Sequence, residues 1–263
     1  MKDWILGIDL GTSTTEAALY RDGEVIMLKT PEGDPILPSV VGINDAGEWV
    51  VGERARAQLL LEPEKTVMEV KRLMGSGKNL SLGGKWYSPV ELSAKILEYV
   101  RDYASDFIGE EITRAVISVP AYFNDNQRRE TVFAGQQAGF DVERILNEPT
   151  AASMSYGLDH IDEESHILVY DLGGGTFDVT LLEMFGGVLE VKASSGDNQL
   201  GGKDFDEKIM QYLYRQFEQK NGVQLSSDKH AVVKIKDEAE KCKKALSTQK
   251  EYRVLIPMIT VKK

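Results

Sequence analysis

The sequence predicts an α/β protein built from two similar lobes. Segments typical of strands alternate with segments typical of amphipathic helices, which indicates sheets flanked by crossover helices. A strand–turn–strand pattern also occurs twice, because ILGIDLGTSTTEAALY at 5–20 aligns with ILVYDLGGGTFDVTLL at 167–182, 162 residues later. The two copies share Asp-Leu-Gly and a threonine at equivalent places, which favours an internal repeat over chance similarity.

Strand-like runs are short segments rich in apolar and β-branched residues. We predict strands at 4–10, 14–20, 24–29, 115–119, 142–146, 166–171, 178–184, 188–195 and 250–263. We predict helices at 63–75, 88–109, 124–139, 147–157, 203–222 and 227–247. The helix at 88–109 has the strongest signal, since Ser88 and Glu91 form a capping box with Pro89 at the first helical position.

Composition excludes several classes of protein. The chain has 263 residues, 42% of them hydrophobic, and a formal net charge of −11. Its basic residues form no dense block, which argues against a nucleic-acid or anionic-membrane surface. Cys242 is the single cysteine, and no segment is long enough for a signal peptide or a membrane span. We therefore expect a cytoplasmic protein.

Each turn of the repeat has the composition of a phosphate-binding loop. Glycine, serine and threonine allow a tight turn and a close approach to a ligand, and successive N–H groups can form an anion-binding concavity. An acid precedes each turn, Asp9 in the first and Asp171 in the second. A carboxylate beside phosphate is favourable when Mg²⁺ lies between them. An ordinary hairpin turn is the alternative for residues 173–175.

Other nucleotide and metal signatures are missing. The sequence contains neither G-x-x-x-x-G-K-[ST] nor G-x-G-x-x-G, which argues against a Walker-type or a dinucleotide-binding protein. It contains no H-E-x-x-H motif, and HIDEESH at 160–166 is interpreted as a solvated acidic loop.

Five motifs resemble those of the 70-kilodalton heat-shock (DnaK-type) molecular chaperones of the actin-like ATPase superfamily. These motifs are GIDLGTS, VPAYFNDNQRRE, ILNEPTAASMSYGLD, DLGGGTFD and GGKDFD, in the family's order. The resemblance implies an actin-like (ribonuclease H-like) α/β fold of duplicated lobes, with the second lobe incomplete. It also implies an ATPase nucleotide-binding domain that couples ATP turnover to client-peptide binding in the full-length protein.

The resemblance implies a role for each matching residue. Implied catalytic residues are Lys71, Glu148, Asp171, Thr176 and Asp178. Implied ligands of Mg²⁺, largely through water, are Asp9, Glu148 and Asp171. Implied nucleotide contacts are Gly11, Thr12, Ser13, Thr14, Gly173, Gly174, Gly175, Thr176, Gly201, Gly202, Glu240, Lys243, Lys244 and Ser247. Pro120 and Arg128 match an allosteric relay, and K⁺ is a further implied ion. Implied partners are ATP or ADP, client peptides, a J-domain cochaperone and a nucleotide-exchange factor, with no nucleic acid and no membrane.

The expected domain division follows the repeat. Lobe I would span 1–165, with a core at 1–33 and 90–165 and an inserted subdomain at 34–89. A partial lobe II would span 166–263, with core strands at 166–200 and a truncated subdomain at 201–263. Because a later adenosine-pocket motif of the family is missing, we expect this chain to bind ATP weakly. Lys244 stands where the family often has a stacking arginine, which also weakens the expected grip on adenine.

Three other functions use the same phosphate turns. A small-molecule kinase on the same scaffold is the main alternative, although we find no convincing aspartate base for it. An actin-like filament protein and a nucleotide sensor without turnover are the other two.

Overall fold

The computed structural model describes residues 4–59, 61–157 and 164–259. The strands are β1 (Ile5–Leu10), β2 (Thr14–Arg21), β3 (Glu24–Met27), β4 (Leu37–Pro38), β5 (Val40–Ile43), β6 (Trp49–Val51), β7 (Thr66–Met68), β8 (Leu80–Leu82), β9 (Lys85–Tyr87), β10 (Arg114–Val119), β11 (Asp141–Asn147), β12 (Ser165–Leu172), β13 (Phe177–Phe185) and β14 (Val188–Asp197). The helices are α1 (Glu53–Leu59), α2 (Pro89–Ile108), α3 (Asp125–Gln137), α4 (Glu148–Gly157), α5 (Gly202–Asn221) and α6 (Lys229–Leu246). The α/β class predicted from the sequence is confirmed.

The first half of the chain forms a six-stranded mixed sheet. Its order is β11-β10-β1-β2-β3, with β4 paired to β2. β1 is parallel to β10 and antiparallel to β2. Alternate residues of β1, including Leu6 and Ile8, point into a core shared with apolar residues of α2 and α3. The alternation leaves Asp9 on the opposite, accessible face.

The second half forms an antiparallel sheet and a helix pair. The sheet order is β12-β13-β14. α5 and α6 pack on each other around a separate cluster that includes Met210, Leu225 and Ile235. α5 begins at the residue after the capping Gly201, next to the turn that joins β12 and β13.

The two hairpins of the repeat have the same strand register. In the first, Asp9 pairs with Glu16 and Leu6 with Leu19. In the second, the equivalent pairs are Asp171 with Asp178 and Leu168 with Leu181. The repeat therefore holds at the level of backbone pairing. The boundary between lobes at residue 165 stays a prediction.

The helix predicted at 63–75 is wrong. Residues 63–65 and 70–73 form single 3₁₀ turns, and Thr66–Met68 between them is strand β7. β7 pairs with β5, and Glu69 after it has a left-handed backbone with φ 61°. Both features interrupt an α-helix, although the apolar spacing of the segment fits one.

The strand predicted at 250–263 is also wrong over the residues that the structure describes. Residues 250–259 have no regular secondary structure, and residues 260–263 lie outside the described part. Pro257 cannot donate a backbone hydrogen bond, and Met258 has φ 48°. Ile256 and Ile259 pack instead against the α5–α6 cluster.

The remaining predicted elements are confirmed within a few residues. Ser88 caps α2 with a full capping box, and Gly109 ends it with φ 81°. The acidic loop predicted at 160–166 lies mostly outside the described residues, although His166 belongs to β12. Within the described ranges, no helix is both long and apolar enough to cross a lipid bilayer.

Candidate functional site

The first phosphate-type turn, residues 11–14, joins β1 to β2. A Cβ atom on Gly11 would overlap the carbonyl oxygen of Thr14, so the turn requires glycine there. Ser39 Oγ donates to the Gly11 carbonyl oxygen at 2.9 Å and fixes the turn from outside. Asp9, two residues before Gly11, accepts a hydrogen bond from Ser118 Oγ at 2.7 Å.

The second turn, residues 173–176, joins β12 to β13 in the same way. Its Gly173 N–H donates to the Thr176 carbonyl oxygen at 3.0 Å. The start of α5 lies against it, since the Gly202 and Lys203 N–H groups donate to the carbonyl oxygens of Gly173 and Gly174 at 2.9 and 3.0 Å. Gly201 is close enough that a Cβ atom would lie 2.5 Å from the Gly175 nitrogen.

The two turns lie in direct contact with each other. A Cβ atom on Gly174 would overlap the Ser13 side chain, and one on Gly175 would lie 2.6 Å from Thr12 Cγ2. Only glycines allow the second turn to come this close to the first. A ligand beside this contact would lie close to the backbone of both turns.

Three carboxylates from separate elements line one cavity beside the turns. Asp9 lies in β1, Asp171 lies in β12, and Glu148 is the first residue of α4. The cavity that they line has a volume of about 540 Å³. The Lys71 ammonium group contacts Glu148 Oε1 at 2.7 Å, with the Lys71 side chain only 6% exposed. The structure thus places both aspartates of the repeat in the lining of one cavity.

The carboxylates at this site are close enough to repel one another. Burial raises the pKa of Glu148 above its ordinary value, and the charges of Asp9 and Asp171 add to this rise against the attraction of Lys71. Burial and the Asp9 charge also raise the pKa of Asp171. A cation that entered the cavity would relieve this repulsion.

The oxygen donors fit a hard cation held mainly through water. Carboxylates are the side chains that Mg²⁺ prefers, and the ion usually keeps several of its waters. Among residues 4–59, 61–157 and 164–259, no group of three acidic, histidine or cysteine side chains is close enough to hold a metal ion directly.

Asp178 connects the site to the turn after β10. Its side chain is 1% exposed and its Oδ1 accepts a hydrogen bond from the Tyr122 N–H at 3.3 Å. Arg128 of α3 donates to the carbonyl oxygens of Phe123 and Ala121 at 3.0 and 3.1 Å. Pro120 begins this turn, and its carbonyl oxygen accepts from the Phe123 N–H at 3.1 Å.

A second cavity, of about 330 Å³, is lined in part by residues of both turns. It is lined by Thr12, Ser13, Thr14, Gly174 and, from α6, by Glu240, Lys243 and Lys244. Lys243 Nζ lies 2.9 Å from Asp206 and 3.1 Å from the Gly202 carbonyl oxygen. Glu240 pairs with Lys244 at 2.7 Å. The predicted Ser247 is the exposed C-cap residue of α6 and does not line this cavity.

Sequence reasoning missed three polar residues that support the site. Ser118 is a hydroxyl within the apolar run Ala115–Val119 of β10, which is a detectable signal. Arg72 donates to the Gly175 carbonyl oxygen at 2.8 Å, and Lys203 reaches Glu69 at 2.6 Å. No local pattern marks these two, because both contacts join residues more than 100 positions apart.

Two matching hairpins that close on one acidic cleft, within sheets flanked by helices, define the actin-like ATPase fold. Residues 5–82 and 77–263 match the model of the family described as Hsp70 protein. The chain therefore belongs to the Hsp70 family and carries nucleotide-binding-domain sequence of that chaperone family.

Proposed function

We propose that this chain binds ATP between its two turns and hydrolyses it to ADP and phosphate. In the full-length protein, this turnover would control the binding of client peptides, with a J-domain cochaperone and a nucleotide-exchange factor as partners. The observation that carries the proposal is the shared cavity of Asp9, Glu148 and Asp171 beside two facing turns. Membership of the Hsp70 family supports the same conclusion.

The two turns and α6 would contact different parts of the nucleotide. Backbone N–H groups of residues 11–14 and 173–176 would hold the phosphates, as glycine-rich turns do elsewhere. Glu240, Lys243 and Lys244 line the cavity on the α6 side and would contact the nucleoside. The start of α5, at Gly201 and Gly202, would hold the second turn in place.

Asp9, Glu148 and Asp171 would hold Mg²⁺ through its water ligands. When bound, the ion supplies positive charge that neutralises the phosphates and the three carboxylates together. Ser118 orients the Asp9 carboxylate through its 2.7 Å hydrogen bond.

Lys71 and Asp178 would act on the terminal phosphate. The Lys71 ammonium group, held at 2.7 Å by Glu148, would stabilise the charge that develops during phosphoryl transfer. Burial raises the pKa of Asp178, although the Tyr122 N–H opposes that rise. A raised pKa makes this carboxylate a better acceptor for the proton of the attacking water at neutral pH. Thr176 would orient the same water.

Asp178 also links the proposed site to the turn that contains Tyr122. A change in its position would act on the Tyr122 N–H, and Arg128 holds two carbonyl oxygens of the same turn. We propose that Pro120 and Arg128 transmit the nucleotide state along this turn.

Product analysis with γ-labelled ATP tests the function. We expect labelled inorganic phosphate as the product, and its release should fall to background when EDTA removes Mg²⁺. A filter or thin-layer assay separates phosphate from a labelled acceptor. A phosphorylated small molecule would instead identify a kinase, and no Mg²⁺-dependent turnover at all would contradict the proposal.

A further inference from the structure

Glu69, in the first half of the chain, forms salt bridges with two lysines of the second half. Its Oε1 and Oε2 atoms lie 2.6 Å from Lys236 Nζ of α6 and 2.6 Å from Lys203 Nζ of α5. The Glu69 side chain is only 15% exposed, and burial alone would raise the pKa of this carboxyl. The two lysines nevertheless hold its pKa below the ordinary value.

Glu69 forms its contacts with the two lysines although its backbone has an unfavourable conformation. Glu69 has φ 61° and ψ 27°, a left-handed conformation that costs a non-glycine residue on the order of 1 kcal/mol. Residues in such conformations persist when the surrounding structure fixes them. Here the surrounding structure is the lysine pair, which belongs to the other half of the chain.

Glu69 lies two residues before Lys71 in a short turn. The 3₁₀ turn Val70–Leu73 has a single turn's hydrogen bonds, so it cannot fix its own position as a long helix would. Val70 anchors the turn in the core of the first half, and Arg72 anchors it to the second half, since Arg72 donates to the Gly175 carbonyl oxygen at 2.8 Å and pairs with Asp204 at 2.7 Å. Glu69 and Arg72 thus tie Lys71 to the second half from both sides.

Lys203 links this turn directly to the second phosphate-type turn. Its backbone N–H donates to the Gly174 carbonyl oxygen at 3.0 Å, while its side chain holds Glu69. One residue therefore contacts both the turn that would hold phosphate and the segment that carries the lysine. A shift of residues 173–176 would move the Lys71 segment in the same direction.

We infer that Glu69 is a positioning residue for Lys71, acting through Lys203 and Lys236 across the cleft. The inference rests on the proposed function only in that Lys71 is taken to act on phosphate. The placement of the Lys71 ammonium group can be measured without nucleotide. It would then depend on a contact made by the opposite half, so the lysine reaches its working position only when both halves are correctly apposed.

Trace acetylation with acetic anhydride tests this in the nucleotide-free chain. Mass spectrometry compares the labelling rate of Lys71 with that of Lys95 on α2 as the internal reference. We expect Glu69→Gln to raise the relative Lys71 rate by about tenfold, because the segment opens locally once its anchor is lost. The matched control is Glu62→Gln, which removes a carboxylate that pairs with Lys65 at 2.9 Å within the same half. The control should leave the Lys71 rate unchanged.

Further variants separate positioning from general destabilisation. Lys203→Gln should raise the Lys71 labelling rate as Glu69→Gln does, and the double variant should add little, since both remove one contact. In the hydrolysis assay, Glu69→Gln should lower kcat about tenfold or more with a much smaller change in KM. An unchanged Lys71 labelling rate in folded Glu69→Gln or Lys203→Gln chains would overturn the inference. So would tighter Mg·ATP binding by Glu69→Gln without altered Lys71 reactivity, since Glu69 would then be a competitor of phosphate. Absence of turnover in the unmodified chain would contradict the proposed function alone.

Discussion

Replacing Lys71 by methionine is expected to slow ATP hydrolysis by about 10²–10³-fold. The ammonium group contacts Glu148 at 2.7 Å beside the carboxylate cluster and would stabilise charge on the transferring phosphoryl group. Methionine keeps much of the length and none of the charge. Binding of Mg·ATP should change far less than the rate, because the backbone of the two turns makes the main phosphate contacts. Single-turnover kinetics and calorimetric titration measure the two quantities separately.

The Lys71 variant also leaves Glu148 buried without its partner. Removing one member of a buried pair costs about 3–5 kcal/mol, so the unfolding free energy must be measured alongside activity. Adding Glu148→Gln to the variant removes the unpaired charge and should recover stability without recovering hydrolysis. Lys95→Met is the matched control, since Lys95 also pairs with a carboxylate, Glu98 at 2.6 Å, but neither residue lines the cavity of Asp9, Glu148 and Asp171. A Lys71→Met chain that hydrolyses ATP at the unmodified rate would contradict the assigned role.

Gly201→Ala is expected to destabilise the second half by about 3 kcal/mol and to abolish nucleotide binding. The added Cβ atom would lie 2.5 Å from the Gly175 nitrogen and 2.6 Å from Gly175 Cα. Both are backbone atoms of the second turn and cannot move aside as a flexible side chain can. The backbone of Gly201 is extended, with φ −174°, so the cost is steric and not conformational. Urea unfolding followed by circular dichroism measures the change.

Gly173→Ala is the matched control in the same turn. Its Cβ atom would lie 3.5 Å from the nearest backbone oxygen, which is an ordinary contact, and Gly173 does not have a positive φ. We expect its unfolding free energy to stay within about 0.5 kcal/mol of the unmodified chain. Equal stability of the Gly201→Ala and Gly173→Ala variants would mean that α5 does not pack against the turn as described.

The parts of the fold that sequence predicted correctly carry local signals. β1, β2, β12 and β13 are rich in apolar, aromatic and β-branched residues, and α2 has both a capping box and a C-terminal glycine. The segment at 63–75 has helical apolar spacing, yet β7 forms there because β5 offers it a partner. That partner is distant in sequence, so periodicity alone could not reveal it. The strands of residues 37–87 are two to four residues long, too short for a period to register.

Some residues of the site could likewise be predicted from the sequence, whereas others could not. The repeat predicted Asp9 and Asp171 as a pair, since one alignment marks both. Lys71 came only from the family resemblance, because a lone lysine on a predicted surface helix carries no signal of burial. Arg72 and Glu69 act through contacts with α5, α6 and the second turn, which only the folded chain brings near them.

The binding of one nucleotide by both turns can be tested by a crystal structure of the chain with Mg²⁺, ADP and phosphate. We expect phosphate oxygens within hydrogen-bonding distance of N–H groups from both residues 11–14 and residues 173–176. We also expect one metal ion whose waters contact Asp9 and Asp171. Nucleotide held by a single turn, or aspartates that face separate environments, would show that the two turns do not form one nucleotide site.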